Sequence, residues 1–236
     1  MKIKFLRLLF ALMLALTAGA MPTALAATEL RPLPQQGHAA HLTAELLGHY
    51  HYRPVSFDAV FSEKIFAQYL KALDAEKAFF VQSDIDQWTD ARGKLREVFL
   101  KEDLAIPFAV FNRYCERAEE RFTYARTLLK QGFDFTQNEN YRYRRDKEPW
   151  LRSEDEAREL WRKRVKNDWL ELKLAGKDDG SIVDTLDRRY ENFLKRLARY
   201  KSENVFQIFM EAAMSAVDPH RWSHSFGTSS NCSVRS

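Results

Sequence analysis

The sequence has few of the residues that hold disulfide-rich proteins together or build zinc sites. Only two cysteines occur, Cys115 and Cys232, and neither belongs to a CxxC pair or a cysteine–histidine spacing. A fold framed by several disulfides is therefore excluded. One Cys115–Cys232 bond remains an alternative. Cys115, however, falls on an apolar helical stripe, which favours a small buried hydrophobic residue.

The chain also lacks alternating apolar and polar strands, an internal repeat and a catalytic motif. Many serines and six histidines are present, but no GxSxG sequence or comparable context supports a Ser-His-Asp set. We therefore assign no catalytic residue, no cofactor-binding residue and no metal ligand, and we expect no cofactor.

The first 26 residues have the three parts of a secretory signal peptide. Lys2, Lys4 and Arg7 give a basic start, residues 8–16 are apolar, and small residues lead to a cleavage site expected after Ala26. The alternative is a transmembrane anchor, which needs about 20 apolar residues in a row. This run is shorter, so the sequence predicts an exported protein that does not span the membrane.

The mature chain is expected to be close to neutral. Residues 1–26 contain three basic and no acidic side chains, so 37 Lys and Arg against 33 Asp and Glu become 34 against 33. A balanced charge gives no strong global attraction to phosphate. We expect no nucleic-acid partner.

From residue 43 to residue 217 the sequence is mostly helical in its periodicity, which predicts an all-α bundle of six or seven helices with no substantial sheet. Residues 27–42 carry little periodicity and are expected to be a flexible N-terminus. Helices are predicted over residues 43–51, 56–73, 83–99, 107–131, 153–175, 181–197 and 202–217.

Local signals predict where several of these helices begin and end. Ser83 is predicted to cap one N-terminus, and Ser153 with Glu156 forms a capping box at another. Gly132 and Gly176 are predicted to end helices, because glycine readily adopts the left-handed conformation found there.

Three charged segments need a structural interpretation. Arg117–Arg121 and Arg162–Lys166 are predicted to be solvated helix faces. Tyr141–Lys147 interleaves aromatic and cationic residues, a pattern that also occurs in single-stranded nucleic-acid binding. Asp146 and Glu148 dilute that pattern, so we favour a packed loop over residues 133–150 that bridges two halves of the fold and forms arginine ion pairs.

Four histidines cluster near the start of the mature chain: His38, His41, His49 and His51. Imidazoles in an exported protein could bind zinc or copper, so a metal-binding protein is one alternative. A solvated segment followed by a short helix end is the interpretation we favour.

Several phrases, in order, resemble one family, the tail-specific or C-terminal-processing serine proteases of the Prc type. The resemblance covers residues 43–220 and is specific, because separate phrases match in the same order. The phrases are FDAVFSEKIFAQYLKALDAEKAFFVQSDID (57–86), FDFTQNENYRYRRDKEPW (133–150), LKLAGK (172–177), RRYENFLKRL (188–197) and AVDPH (216–220).

The resemblance implies a periplasmic protein and a defined domain order. Such proteases consist of an N-terminal helical domain, a PDZ domain, a core with a Ser/Lys pair and a C-terminal helical region. They degrade proteins from apolar C-terminal tails, and a periplasmic or lipoprotein adaptor is a possible partner. Residues 43–220 match only the first domain, so no catalytic residue is transferred.

Two expectations follow from the resemblance. The domain should be a scaffold that shapes substrate access and is inactive alone. The alternative is a free-standing periplasmic helical module that binds proteins or modulates a protease. Either way, some aromatic residues should form an exposed docking patch and lower the solubility.

The resemblance ends after His220. Residues 221–236 have no helical period and an unusual share of serine, and they are expected to be a disordered tail outside the family pattern. A frameshift or a truncated reading frame shortly after His220 is the hypothesis for this change.

Overall fold

The computed structural model describes residues 29–50 and 56–217, and it confirms the all-α prediction. Within these residues, strand pairing is limited to one isolated parallel bridge, Val81 to Leu151. The described residues form nine helices: α1 (Pro34–Tyr50), α2 (Ala59–Leu73), α3 (Gln82–Asp86), α4 (Thr89–Arg92), α5 (Arg96–Lys101), α6 (Ala105–Gln131), α7 (Glu154–Leu174), α8 (Asp179–Leu197) and α9 (Ser202–Val217).

The helices surround two hydrophobic cores that share one helix. The first core lies between α1, α2, α5, α9 and the beginning of α6. The second core lies between α7, α8 and the end of α6. Helix α6 is 27 residues long, about 40 Å at 1.5 Å per residue, which is long enough to supply one face to each core.

The first core includes one face of α2, which forms within the predicted helix over residues 56–73. Phe61, Ile65, Tyr69 and Leu73 are buried, because a spacing of four residues keeps their side chains on one helix face. This face packs against α9. The Tyr69 ring lies edge-on to Phe209 at 5.4 Å between centroids.

The second core is built largely from aromatic rings. Phe122 of α6 stacks on Phe193 of α8 at 4.0 Å between centroids and lies edge-on to Trp161 of α7 at 4.9 Å. The Trp161 indole N–H donates to the Ala78 carbonyl at 2.7 Å. A buried indole N–H usually needs a hydrogen-bond partner. This hydrogen bond also connects α7 to the segment between α2 and α3.

Helix α1 begins earlier than predicted. Residues 34–42 were expected to belong to a flexible N-terminus, but the helix starts at Pro34. Proline suits a first helical turn, and the Gln36 side chain accepts the Leu33 N–H at 2.9 Å. Ala40 and Ala44 are buried against the first core, so α1 is held by packing that the weak periodicity of its sequence does not reveal.

The prediction of one continuous helix over residues 83–99 is wrong. The structure has three short helices there, α3, α4 and α5. Gly93 lies at the second break and weakens a helix there. Ser83 is not the N-cap. The chain turns at Val81, whose N–H donates to the Asp84 carboxylate at 3.0 Å. These breaks explain nine helices in place of six or seven.

The other terminal signals are mostly confirmed. The Ser153 hydroxyl accepts the Glu156 N–H at 3.2 Å, and Gly132 and Gly176 have positive φ angles of 71° and 83°. Helix α8 begins at Asp179, earlier than the predicted residue 181, because Asp178 caps it and accepts the Ser181 N–H at 3.0 Å.

Several predictions fall on residues 1–28, 51–55 and 218–236, which lie outside the described residues. They concern the signal peptide, His51, Cys232 and the tail over residues 221–236. In the part of the chain that the structure does describe, no helix combines the length and apolarity needed to cross a membrane.

Two glycines of α1 provide a matched test of its close packing. A Cβ atom at Gly37 would lie 2.5 Å from the Glu102 carbonyl oxygen, whereas one at Gly48 would meet nothing within 4 Å. We expect Gly37→Ala to lower the free energy of unfolding by about 1–3 kcal/mol. Gly48→Ala should raise it by up to about 1 kcal/mol. Urea denaturation followed by circular dichroism measures both, and equal effects would contradict the packing of α1.

Candidate functional site

The most strongly buried charged cluster joins α3, α6 and the start of α7. The Asp84 carboxylate accepts two hydrogen bonds from Arg117, at 2.8 and 2.9 Å, and one from Arg113 at 2.7 Å. Arg117 and Arg121 each lie 2.7 Å from the Glu154 carboxylate. We call these five residues the α6 charge cluster.

The α6 charge cluster corrects the prediction that Arg117–Arg121 is a solvated helix face. Arg117 is 8% exposed and Arg121 is 3% exposed. Steps of four residues place Arg113, Arg117 and Arg121 on one face of α6. That face is covered by α3 and the start of α7, and its carboxylate partners make the burial of these cations tolerable.

The cluster has a clear effect on protonation. Burial alone would raise the pKa of Asp84, but hydrogen bonds from Arg117, the Val81 N–H and Arg113 outweigh it and hold the pKa below its usual value. Hydrogen bonds to Asp84 and Glu120 likewise outweigh the desolvation of Arg117 and raise its pKa. Asp84 and Arg117 therefore stabilise each other in the charged form. Such a pair is suited to connecting helices.

A second charge cluster joins the 133–150 loop to α7. The Glu139 carboxylate pairs with Arg162 and lies 2.5 Å from the Lys166 ammonium. Hydrogen bonds from Arg162 and Lys166 lower the pKa of Glu139 to about 2. The Lys166 side chain is only 13% exposed, so the predicted solvated face over Arg162–Lys166 is in fact a loop contact. The loop does form the arginine ion pairs that we predicted.

A further carboxylate, that of Asp74, is buried inside the fold. Both oxygens of Asp74 accept backbone N–H groups, from Ala78, Phe79 and Phe80, at 2.8 to 3.0 Å. Burial raises the pKa of Asp74 in spite of these hydrogen bonds. A perturbed carboxyl group is a candidate acid or base, but here every acceptor oxygen is used to hold a turn.

The half-buried Asp168 and the buried Tyr190 form a polar pair between α7 and α8. The Tyr190 hydroxyl donates to Asp168 at 2.9 Å. Burial raises the pKa of Asp168, and burial together with the nearby carboxylate raises that of Tyr190. The hydrogen bond satisfies the Tyr190 hydroxyl in the second core and connects two helices.

Two histidines of α1, His38 and His41, contact the neighbouring helix α5 or its C-terminal end. His38 lies 3.3 Å from the Glu102 carboxylate, and the Nδ1 atom of His41 lies 2.6 Å from the Phe99 carbonyl oxygen. Both contacts connect α1 to α5 and its C-terminal end. Among the described residues, no group of three or more metal-ligating side chains converges.

Cys115 is partly buried on α6, close to its predicted environment. Burial, reinforced by Glu116 and Glu119, raises the pKa of its thiol to about 12. A thiol in this state is almost fully protonated near neutral pH, so it is a poor nucleophile.

One shallow cleft of about 220 Å³ lies where α6 ends. Its cations, Arg162 and Lys166, are already engaged by Glu139. The cleft therefore has no free positive charge to offer a ligand. The residues that line it are Leu128, Gln131, Gly132, Phe133, Asp134, Gln137, Arg162 and Lys166.

Exposed apolar side chains are mainly leucines rather than the aromatic residues that we expected. Leu42 and Leu46 of α1 are 44% and 60% exposed and lie one turn apart on the helix. They point away from Ala40 and Ala44, which pack into the first core. Helix α1 is therefore apolar on two sides.

The sequence is similar to that of known proteins. Residues 42–221 match a family model described as the tail specific protease N-terminal domain. The chain is also similar to a tail-specific protease of Haemophilus influenzae, with 37% identity over 191 residues. That alignment covers 78% of this chain and 28% of the relative, so the chain spans less than a third of the relative's length.

The α6 charge cluster predicts a large difference between two neighbouring aspartates of α3. Asp84→Asn should lower the free energy of unfolding by about 3–5 kcal/mol, because it removes the buried negative charge that Arg113 and Arg117 share. Asp86→Asn, at an exposed position of the same helix, should change it by no more than about 0.5 kcal/mol. Urea denaturation at pH 7 gives both values. A loss below about 1 kcal/mol for Asp84→Asn would contradict the role of the cluster.

The lowered pKa of Asp84 also predicts a pH dependence. Because the pKa is lower in the folded state than in the unfolded state, where it is about 3.9, the stabilisation is fully present above pH 3.9. It should decrease as the pH falls through the folded-state value. The difference in unfolding free energy between the wild type and Asp84→Asn, measured from pH 7 to pH 2, should therefore shrink at the acidic end. A difference that grows on acidification would reverse the sign and refute the assignment.

Proposed function

Because the chain belongs to the tail-specific protease family, as its N-terminal domain, we propose that it is a non-catalytic scaffold of a periplasmic serine endopeptidase. In this proposal the domain supports the protease core and shapes the access of protein substrates that carry apolar C-terminal tails. A periplasmic or lipoprotein adaptor is a further partner within the same proposal.

One observation carries the scaffold proposal. In the described residues, the buried carboxylates of Asp74 and Asp84 and the half-buried carboxylate of Asp168 accept hydrogen bonds from other elements or from the backbone. Asp84 connects α3 to α6, Asp168 connects α7 to α8, and Asp74 holds the turn after α2. These groups strengthen contacts between elements. A catalytic constellation would instead place a nucleophile, a base and oxyanion donors around one cleft.

The sequence of the first 26 residues supports the location that we propose. The basic start, the apolar run and the small residues before Ala26 are the parts of a cleavable signal peptide. Cleavage after Ala26 would leave only two residues before Glu29, the first residue that the structure describes. N-terminal sequencing of the secreted protein tests this site directly, and a mature chain starting elsewhere would contradict it.

A second function, a free-standing binding module, has one specific observation in its favour. Leu42 and Leu46 give α1 an outward apolar face, and such a face is a common docking site for another protein. Purification of the chain from the periplasm with one partner at a fixed stoichiometry would favour this function. Loss of that partner in Leu42→Glu/Leu46→Glu would identify the face.

The scaffold proposal predicts that residues 27–236 hydrolyse no peptide bond by themselves. The purified chain should leave an unfolded protein with an apolar C-terminal tail intact during prolonged incubation, as judged by mass spectrometry. The full-length Haemophilus influenzae relative serves as the positive control. Cleavage by clean material that disappears when one serine is replaced would show a catalytic centre in this chain and overturn the proposal.

A further inference from the structure

The tip of the 133–150 loop is a cationic and aromatic projection. Residues 142–148 contain four cations, Arg142, Arg144, Arg145 and Lys147, and two carboxylates, Asp146 and Glu148. The Tyr143 side chain is 62% exposed, although it is one of the large hydrophobic residues of the chain. We call this segment the 142–148 tip.

The base of the tip is fixed to the bundle. The Arg145 N–H donates to the Glu76 carboxylate at 2.6 Å, and the Lys77 ammonium donates to the Glu148 carbonyl at 2.5 Å. A turn closes between them, because the Glu148 N–H donates to the Arg145 carbonyl at 2.9 Å. The Arg142 side chain pairs with Glu148 across the same turn. The backbone of the tip is therefore organised before any partner arrives.

Tyr143, Arg144 and Lys147 remain at the surface. The Arg144 guanidinium lies over the Tyr143 ring, 5.9 Å from its centroid. Tyrosine and arginine are enriched among the few residues that contribute most of the binding energy in protein interfaces. Preorganisation also reduces the entropy that binding must overcome.

We propose that the 142–148 tip is a docking surface for an acidic segment of another protein. Tyr143 would pack on an apolar residue of that segment, and Arg144 and Lys147 would pair with its carboxylates. The interspersed Asp146 and Glu148 disfavour a uniformly anionic partner such as a nucleic acid or a lipid surface, whereas a protein segment can match mixed charges. The inference rests on the geometry of the tip and does not require the scaffold role.

A labelled acidic peptide tests this surface. The probe is a fluorescein-labelled 20-residue peptide of Glu, Asp, Leu and Gly, and its binding to residues 27–236 is followed by fluorescence anisotropy. Arg144→Glu/Lys147→Glu should weaken binding by about tenfold or more. It should also create binding to the same peptide with lysine in place of its acidic residues. Tyr143→Ala alone should weaken binding of the acidic peptide by about fivefold or more.

A matched control separates the tip from a general charge effect. Lys64 and Lys94 are exposed on other parts of the bundle, and Lys64→Glu/Lys94→Glu changes the net charge by the same amount. This control should bind the acidic peptide within about twofold of the wild type. An equal loss in control and test variants would overturn the proposal. So would absence of peptide binding, or tighter binding of a 20-nucleotide oligothymidine or of vesicles containing phosphatidylserine. Circular dichroism of each variant confirms that it is folded.

Discussion

Helix α6 is the element on which the described fold depends, because both hydrophobic cores use it. Its first half gives Phe108 and Phe111 to one core, and its second half gives Phe122 and Leu129 to the other. The α6 charge cluster lies between these two apolar stretches. It connects α6 to α3 and to the start of α7, where a third, small apolar cluster around Val81 also packs. Two groups of helices thus become one body through a shared helix and its charged middle.

The charge cluster is better understood as a device for position than as a source of stability. Removing Asp84, Arg117 and Arg121 from water costs free energy. The attraction between the opposite charges of the cluster largely offsets this cost and adds little beyond it, so an apolar replacement of equal shape could be as stable. A bidentate arginine–carboxylate pair, however, tolerates little displacement. Arg117 can reach both oxygens of Asp84 only when α3 lies at one distance and angle to α6. For a domain proposed to hold a protease core, such fixed geometry between helices is the useful property.

Sequence patterns predicted the long helices and failed where a polar side chain decides the structure. Helices α2, α6, α7 and α8 could be predicted because the burial of their side chains follows helical periodicity. The burial of Arg117 was missed, since a charged residue on a helix looks solvated unless its partner is known. That partner, Asp84, is distant in sequence, and its position depends on a turn at Val81 that no local motif marks. The start of α1 was missed for a related reason, because its helix is held by tertiary packing. The absence of a candidate active site in residues 43–220 remains a prediction. The family was predicted from the matching sequence phrases between residues 57 and 220, and the comparison with known proteins confirms it.

Hydrogen exchange tests the claim that α6 makes one cooperative unit from the two cores. If the claim is correct, the slowest backbone amides of α2 and α9 and those of α7 and α8 should open with the same free energy and the same urea dependence. Both groups would then exchange only through global unfolding of the described domain. Two distinct free energies, with one core opening while the other stays protected, would show that α6 does not unite them and would contradict the account.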